Sequence, residues 1–297
     1  MKPDASHAPS HPGRHGGPAK PPAVPLTLDG SSALHQMFRV RWPEWRAVAP
    51  DERESIVAEA TSLLRTMESH PEGGSGIFAQ LGHKGDLMLA HFRASFENIN
   101  ETELQLSSLR LWDYLEPTTS YVSVVELGQY AASVQLYKGL TEQGVEPGSE
   151  EWAAAEKEKM GELRQALHER LFPTMPGQRF LCFYPMDKKR GETKNWYAES
   201  MEDRGRMMRD HGMIGRRYAG RVKQIISGSI GFDDWEWGVD LFADDPRVFK
   251  QLVYEMRFDE ASVWYGLFGA FYIGIRFPAS ELGTYLSGRK PTYGASA

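Results

Sequence analysis

Cysteine is almost absent from this chain, and its scarcity excludes several chemistries at once. One thiol, Cys182, in 297 residues rules out an intrachain disulfide, a C-x-x-C-H haem attachment and a four-cysteine cluster within one chain. Long apolar runs are missing too. None approaches the roughly 20 residues needed to span a bilayer, and the N-terminus carries no hydrophobic signal core. Positive charge is not in excess: the formal net charge is −6, which argues against a general binder of nucleic acid or anionic membrane. What is present, 41% hydrophobic and 25% charged residues, is a globular composition long enough for two ordinary domains. The expectation is a cytoplasmic protein with no membrane span, whose cofactor is held through nitrogen, oxygen or shape.

Both ends read as loose. Residues 1–28, rich in Pro, Gly, Ala and His, bury too little apolar surface to offset chain entropy and are expected to be a disordered tail. His7, His11 and His15 stand there at a spacing of four, open to reading as a solvated tail or as a weak metal tract. Residues 283–297, with Gly, Ser and Pro and no periodicity, read as a second tail.

Between the tails the pattern of elements repeats. Leu34 to Trp42 reads as a strand and Pro43 to Glu68 as a helix opened by proline. Gly76 to Leu81 and Asp86 to Arg93 follow as strands around the turn Gly82 to Gly85, then Asn100 to Leu115 as a helix and Ser120 to Gln129 as a strand. Further on come a strand from Phe180 to Met186, a helix from Ser200 to His211, and strands from Tyr218 to Ser227 and Asp234 to Phe242. Asp245 to Arg257 reads as a helix and Ser262 to Phe277 as a long, glycine-interrupted strand. Both halves have the order β-α-β-β-α-β, which implies an α+β fold of two ferredoxin-like units, each an antiparallel sheet with helices on one face. The expected boundaries are 29–135 for the first unit, 136–176 for a helical connector and 177–282 for the second unit. Open sheet edges call for packing of the two sheets or for oligomerisation.

His211 is the histidine placed most like a metal ligand. Ser200-Met201-Glu202-Asp203 reads as a capping box and Gly212 as the stop of the same helix. Met207, Met208 and His211 then share a stripe away from Arg204, Arg206 and Arg209. A neutral imidazole there can bind iron or zinc, while a satisfied core or helix-capping histidine would look the same.

Strand periodicity selects further side chains. In the Tyr218 to Ile226 strand, Gln224 lies on the apolar face with Val222 and Ile226. In the Phe180 strand, Tyr184 follows Phe180 and Cys182 on one face, just before the basic loop Lys188-Lys189-Arg190. A buried phenol wants a partner, which a propionate or phosphate near the lysines would supply; a core tyrosine beside a solvated turn is the alternative.

Several segments in order carry a resemblance: Cys182-Phe-Tyr-Pro-Met-Asp-Lys-Lys-Arg190, Asn195-Trp-Tyr197, Met207-Met-Arg-Asp-His-Gly212, Gly215-Arg-Arg-Tyr-Ala-Gly220, Gly231-Phe-Asp-Asp-Trp-Glu-Trp-Gly238 and Glu255-Met-Arg-Phe-Asp-Glu-Ala-Ser262. Together they resemble the coproheme decarboxylases of the chlorite dismutase-like haem proteins, the type with a catalytic tyrosine. The resemblance is dense from Leu171 to Phe277 and weaker in Ser120 to Leu127. It implies two ferredoxin-like units per chain, a homopentamer, and haem in the C-terminal unit. It makes His211 the proximal iron ligand and Gln224 the distal residue, where chlorite-degrading relatives hold an arginine.

The implied reaction is oxidative decarboxylation of two propionates of iron coproporphyrin III (coproheme) at the expense of hydrogen peroxide, with haem b as product. Peroxide oxidises the iron, and Tyr184 passes the oxidising equivalent on as a radical that takes hydrogen from a propionate β-carbon. Lys188 matches a lysine that orients a propionate and assists proton movement; Arg170, Arg257 and Ser262 match propionate contacts, and Met186 a residue at the porphyrin edge. A coproporphyrin ferrochelatase is the implied transient donor. Each of these residues has a plainer reading: Arg257 as a cap of its own helix, Ser262 as a strand-start hydroxyl, Arg170 as a solvated helix residue, and Met186 and Met256 as core fillers. Trp235 and Trp237 read as core on one strand face. Another haem enzyme of the same superfamily, or a non-catalytic haem carrier that needs His211 but not Tyr184, stays open on the sequence.

Overall fold

The computed structural model describes residues 21–294. The tail histidines His7, His11 and His15 lie outside the described residues. The N-terminal half comprises β1 (Thr27–Val40), α1 (Trp42–Ala47), α2 (Pro50–Glu68), β2 (Gly74–Gln80), β3 (Leu87–Arg93), α3 (Phe96–Ser107), a 3₁₀ turn at Arg110–Tyr114 and β4 (Leu115–Gly128). Three connecting helices follow: α4 (Tyr130–Glu142), α5 (Glu150–Ala166) and α6 (His168–Leu171). The C-terminal half comprises β5 (Phe180–Lys188), α7 (Met201–Arg216), β6 (Lys223–Gly228), β7 (Trp237–Ala243), α8 (Arg247–Met256), α9 (Glu260–Tyr265), β8 (Gly266–Phe268), β9 (Tyr272–Arg276) and α10 (Leu282–Leu286).

Within each half the antiparallel sheet has the ferredoxin-like order, β4-β1-β3-β2 and β9-β5-β7-β6. The two sheets join edge to edge, β2 to β9 through Phe78↔Arg276 and β4 to β6 through Val125↔Ser227. Because β5 also pairs with β7, the circuit closes into a barrel, with β8 as a short added rung on β5. The open edges that the sequence implied are thus joined, over part of their length, within one chain.

Alternation along the strands divides the side chains into three layers. Ala33, Met37, Phe78, Phe92, Tyr121, Leu181, Phe183 and Phe242 fill the barrel. On the outer face of the N-terminal sheet, Ile56, Ala60 and Leu64 of α2 pack with Leu106 of α3. On the outer face of the C-terminal sheet, Val248, Phe249, Leu252 and Met256 of α8 cover Cys182, Tyr184, Val239 and Leu241. Inside the barrel, His35 of β1 bonds Asp240 of β7 at 2.8 Å, both fully buried, and its ring stacks on Phe183 at 4.0 Å. This pair ties the two halves together through the core.

Several boundaries differ from those expected from sequence, each for a local reason. β1 starts at Thr27, inside the segment expected to be a tail, because Leu28 is fully buried and its backbone pairs with Leu127. The helix expected from Pro43 breaks before Pro50, since the residue preceding a proline is driven out of the α region and Ala49 has ψ 144°. The second helix of that half starts at Phe96, capped by Ser95, and the connector begins at Tyr130 rather than at residue 136. β6 and β7 start later than expected, at Lys223 and Trp237; Trp235 lies in the preceding loop and packs on the barrel interior, so it shares no strand face with Trp237.

Gly212 is not a stop. Ser200 does cap α7, its hydroxyl accepting from Asp203 N at 3.1 Å, but the helix runs through Gly212 and Gly215 to Arg216. His211 therefore lies in the body of a helix. The long strand expected from Ser262 is instead α9, β8 and β9, because Asp259 caps a new helix there. The expected C-terminal tail opens within α10, whose Leu282 and Leu286, one turn apart, are buried against the N-terminal helices.

Asp240→Ala should strip His35 of its buried partner and cost about 3 kcal/mol or more. Denaturant titration checks this, and the double variant His35→Leu/Asp240→Leu should recover most of the loss.

Candidate active site

Strand β5 supplies the row from which the site is built. Phe180, Cys182, Tyr184, Met186 and Lys188 share its outer face, with Leu181 and Phe183 turned into the barrel. Tyr184 is 4% exposed. Phe271 stacks on its ring at 4.4 Å and Phe268 meets it at 5.9 Å. Burial raises the phenol pKa well above its ordinary value and outweighs the opposing pull of Arg257, so the side chain stays protonated across the physiological range. Its neighbour Cys182 is pushed up to about 12, by burial first and by Asp240 second.

Lys188 ends the row. It is buried; its backbone N–H donates to Glu236 Oε2 at 2.9 Å, and its Nζ lies 4.6 Å from the centre of the Trp196 ring. Burial lowers its pKa to about 8, against the upward pull of Asp259 and Glu236. An amine there exchanges protons near neutral pH, which an exposed lysine cannot do.

His211 sits on α7, its side chain 24% exposed. Its Nδ1 bonds Asp259 Oδ2 at 2.9 Å. A carboxylate at Nδ1 selects the tautomer with the proton there and leaves the Nε2 lone pair for a metal. Asp259 also accepts the Ser262 backbone N–H at 2.9 Å and the Ser262 hydroxyl at 3.0 Å. Burial would raise the Asp259 pKa, but the His211 and Ser262 contacts prevail and hold it below the ordinary carboxylate range. Ser262 is thus a buried residue of α9, bonded to Asp259, and not a strand-start hydroxyl. Asp259 thus bonds His211 and also acts on the charge of Lys188, linking the histidine to the β5 row.

The remaining expected residues fall at different places. Met186 is half-buried in the Tyr184 cluster. Gln224 lies on the outer face of β6 and is exposed; a Cβ added at Gly215 of α7 would come 3.8 Å from its side-chain oxygen. Arg257 ends α8, its guanidinium 3.8 Å from the centre of the Phe268 ring. Arg170 is exposed on α6, which packs chiefly on β1, β4 and α5, away from the elements that surround Tyr184. Sequence reasoning passed over Asp259, Glu236, Phe268 and Phe271. Only Asp259 carries a local signal, its capping position three residues before Ser262.

Among the described residues no three His, Cys, Asp or Glu side chains converge to hold a metal ion. An iron atom bound at His211 must therefore bring most of its ligands with it, as a porphyrin does. An apolar outer face, a histidine with Nε2 unclaimed, and cations at Arg257 and Lys188 suit a porphyrin with several carboxylates. The cleft of about 110 Å³ between α2 and α3, lined by His70, Arg93 and Glu101, is far too small for one. Its Arg93 is already committed to Gly74, Ser75 and Thr102.

The chlorite dismutase family matches residues 53–277. The chain belongs to that family. A coproheme decarboxylase of Staphylococcus carnosus is 43% identical over 262 residues, 87% of this chain and 96% of the relative. A solved heme-binding protein from Thermus thermophilus is 35% identical with a TM-score of 0.75, covering 90% of this chain and 98% of that one. A chlorite dismutase from Candidatus Nitrospira defluvii, solved with imidazole, shares the fold at 16% identity and a TM-score of 0.64, over 87% of this chain and 96% of its own. Gln224 and His211 thus stand in an α+β scaffold shared with these two solved structures.

Lys188 has a stability signature. Its folded pKa of about 8 lies below the unfolded value of 10.5, so between these the unfolded chain binds more protons and stability rises with pH. Lys188→Met removes that gain. From neutral pH to 10.5 the variant should lose about 3 kcal/mol of stability relative to its parent, measured by denaturant unfolding across the window; a constant difference would mean that Lys188 titrates like an exposed lysine.

Proposed function

We propose that the chain decarboxylates iron coproporphyrin III, turning two of its four propionates into vinyl groups and releasing haem b. The observation that carries this reading is the β5 row: a buried, neutral phenol at Tyr184 and, four residues on along the same face, a lysine with a pKa of about 8. It is supported by His211, with Nε2 unclaimed, on a helix whose Ile214 joins the same apolar cluster. The 43% identical relative is named for this activity.

When bound, the substrate supplies the redox chemistry through its own iron, with hydrogen peroxide as oxidant. For each propionate one carbon dioxide leaves, a β-hydrogen is lost, and peroxide is reduced to two waters with uptake of one proton. Tyr184 gives up its phenolic hydrogen and recovers one from the propionate β-carbon, a role that needs proximity more than acidity. Lys188 orients the reacting carboxylate as a cation and, near its pKa, takes or returns the proton. His211 holds the metal through Nε2, with Asp259 fixing its ring. Arg257 contacts another carboxylate and Met186 lines the porphyrin edge. Ser262 acts through Asp259, to which its hydroxyl is bonded, whereas Arg170, exposed on α6 away from Tyr184, is assigned no contact within this chain. Gln224, neutral and directed from β6 toward α7, would supply no charge to polarise an oxyanion, which disfavours chlorite chemistry.

The chain is further proposed to act in the cytoplasm as a homopentamer and to take its substrate in a transient contact with a coproporphyrin ferrochelatase. No helix among the described residues is long and apolar enough to cross a membrane. Exposed Phe96, Leu104, Ile230 and Phe232, with Phe96 and Phe232 in edge contact at 4.9 Å, are apolar surface of the kind an assembly would bury.

Titrating hydrogen peroxide into the protein loaded with iron coproporphyrin III, and following products by mass, should show stepwise loss of two carboxyl groups through a three-propionate species. Tyr184→Phe should bind substrate as tightly as the parent while turnover falls about a hundredfold or more. Unchanged product mass in the parent would leave a haem carrier, and bleaching alone a peroxidase.

A further inference from the structure

Arginines around the site differ in what holds them. Arg217 pairs with Glu255 at 3.0 Å and Arg206 with Glu260 at 2.6 Å. Arg257 has no acidic partner among the described residues; its guanidinium lies 3.8 Å from the centre of the Phe268 ring. Stacking uses the flat face of a guanidinium and leaves its N–H edge free, and that edge binds a carboxylate in two-point fashion.

The Phe268 ring is itself closely held. In register it pairs with Met186 across β8 and β5, and it also meets Tyr184 at 5.9 Å. A Cβ at Gly266 would come within 2.9 Å of the Phe268 ring, and one at Gly269 within 2.8 Å of Pro185 and 3.1 Å of Trp235. Gly266 makes room for the Phe268 ring, and Gly269 lets the turn lie close to β5. The ring then bridges two groups with separate tasks, the Arg257 cation on one side and the Tyr184 phenol on the other.

We propose that Phe268 is a positioning residue that presents the Arg257 guanidinium, edge outward, to one carboxylate of a porphyrin whose propionates react at Tyr184. The assignment rests on the function proposed above. It makes Phe268 part of the selection for substrates with ionised side arms, acting through Arg257 and without touching the reacting atoms. A ring that served only as an apolar wall would favour charged and uncharged porphyrins alike.

The test is Soret-band titration of the full-length protein with iron coproporphyrin III and, separately, with its tetramethyl ester. Phe268→Leu keeps apolar bulk but removes the aromatic face; it should weaken binding of the tetra-acid about fivefold and leave binding of the ester unchanged. Phe268→Trp should restore tetra-acid binding. In an Arg257→Ala background, Phe268→Leu should add nothing. Equal weakening of acid and ester, no weakening of either, or an additive double variant would overturn the assignment. If Phe268→Leu does not fold, Phe268→Met carries the same comparison. Parent protein that binds the tetra-acid while the Phe268 comparisons fail would overturn Phe268's role alone, and parent protein that does not bind the tetra-acid would overturn the function on which it rests.

Discussion

Each four-stranded sheet leaves two edges of unpaired N–H and C=O groups, and the joining of β2 to β9 at Phe78–Gln80 and of β4 to β6 at Val124 and Val125 engages all four within one chain. That closure forces each half to present one face to a shared interior and the other to its own helices. It also brings His35 and Asp240 together, a buried ionisable pair donated by opposite halves. Replacing such a pair by apolar residues can be neutral, whereas losing one member is costly, so its use here is to fix how the halves meet.

The same closure gives the two outer faces different fates. On the N-terminal sheet, α2 and α3 cover the strands with Ile56, Leu64 and Leu106, and the polar residues beneath them are spent on each other, as in the Ser75–His91 and Arg93–Thr102 bonds. On the C-terminal sheet α8 covers the strands with Val248, Leu252 and Met256, and beside it the cover turns aromatic and rich in glycine. α7 carries Gly212 and Gly215 beside His211, and the turn from Gly266 to Phe271 lays two rings against Tyr184. The candidate chemistry gathers on this C-terminal face.

Much of this was legible in the strands. Alternation from Phe180 onward put Tyr184 and Met186 on one face, and Val222, Gln224 and Ile226 on another, because a strand's period of two leaves no choice. The repeated element order likewise carried the pairing of two units. What stayed hidden depends on tertiary packing. Gly212 looked like a stop, yet α7 continues because its next turn packs, through Ile214 and Gly215, against the sheet and Met256. Ser262 looked like the start of a strand, and only the Asp259 cap reveals a helix. The Asp259–His211 bond joins residues 48 apart, beyond the reach of any local pattern, and no sequence window shows that Phe268 lies under Arg257.

Cys182 follows from its place in the β5 row. A thiol is attacked by peroxide as the thiolate, and burial holds Cys182 at about 12, so almost none of it is ionised near neutral pH. The sole sulfhydryl of the chain, two residues from Tyr184, is thereby kept off the path to sulfenic and sulfinic acids. Met213, half exposed on α7, is by contrast a thioether open to solvent, where a sulfoxide can form and be repaired without disturbing the core.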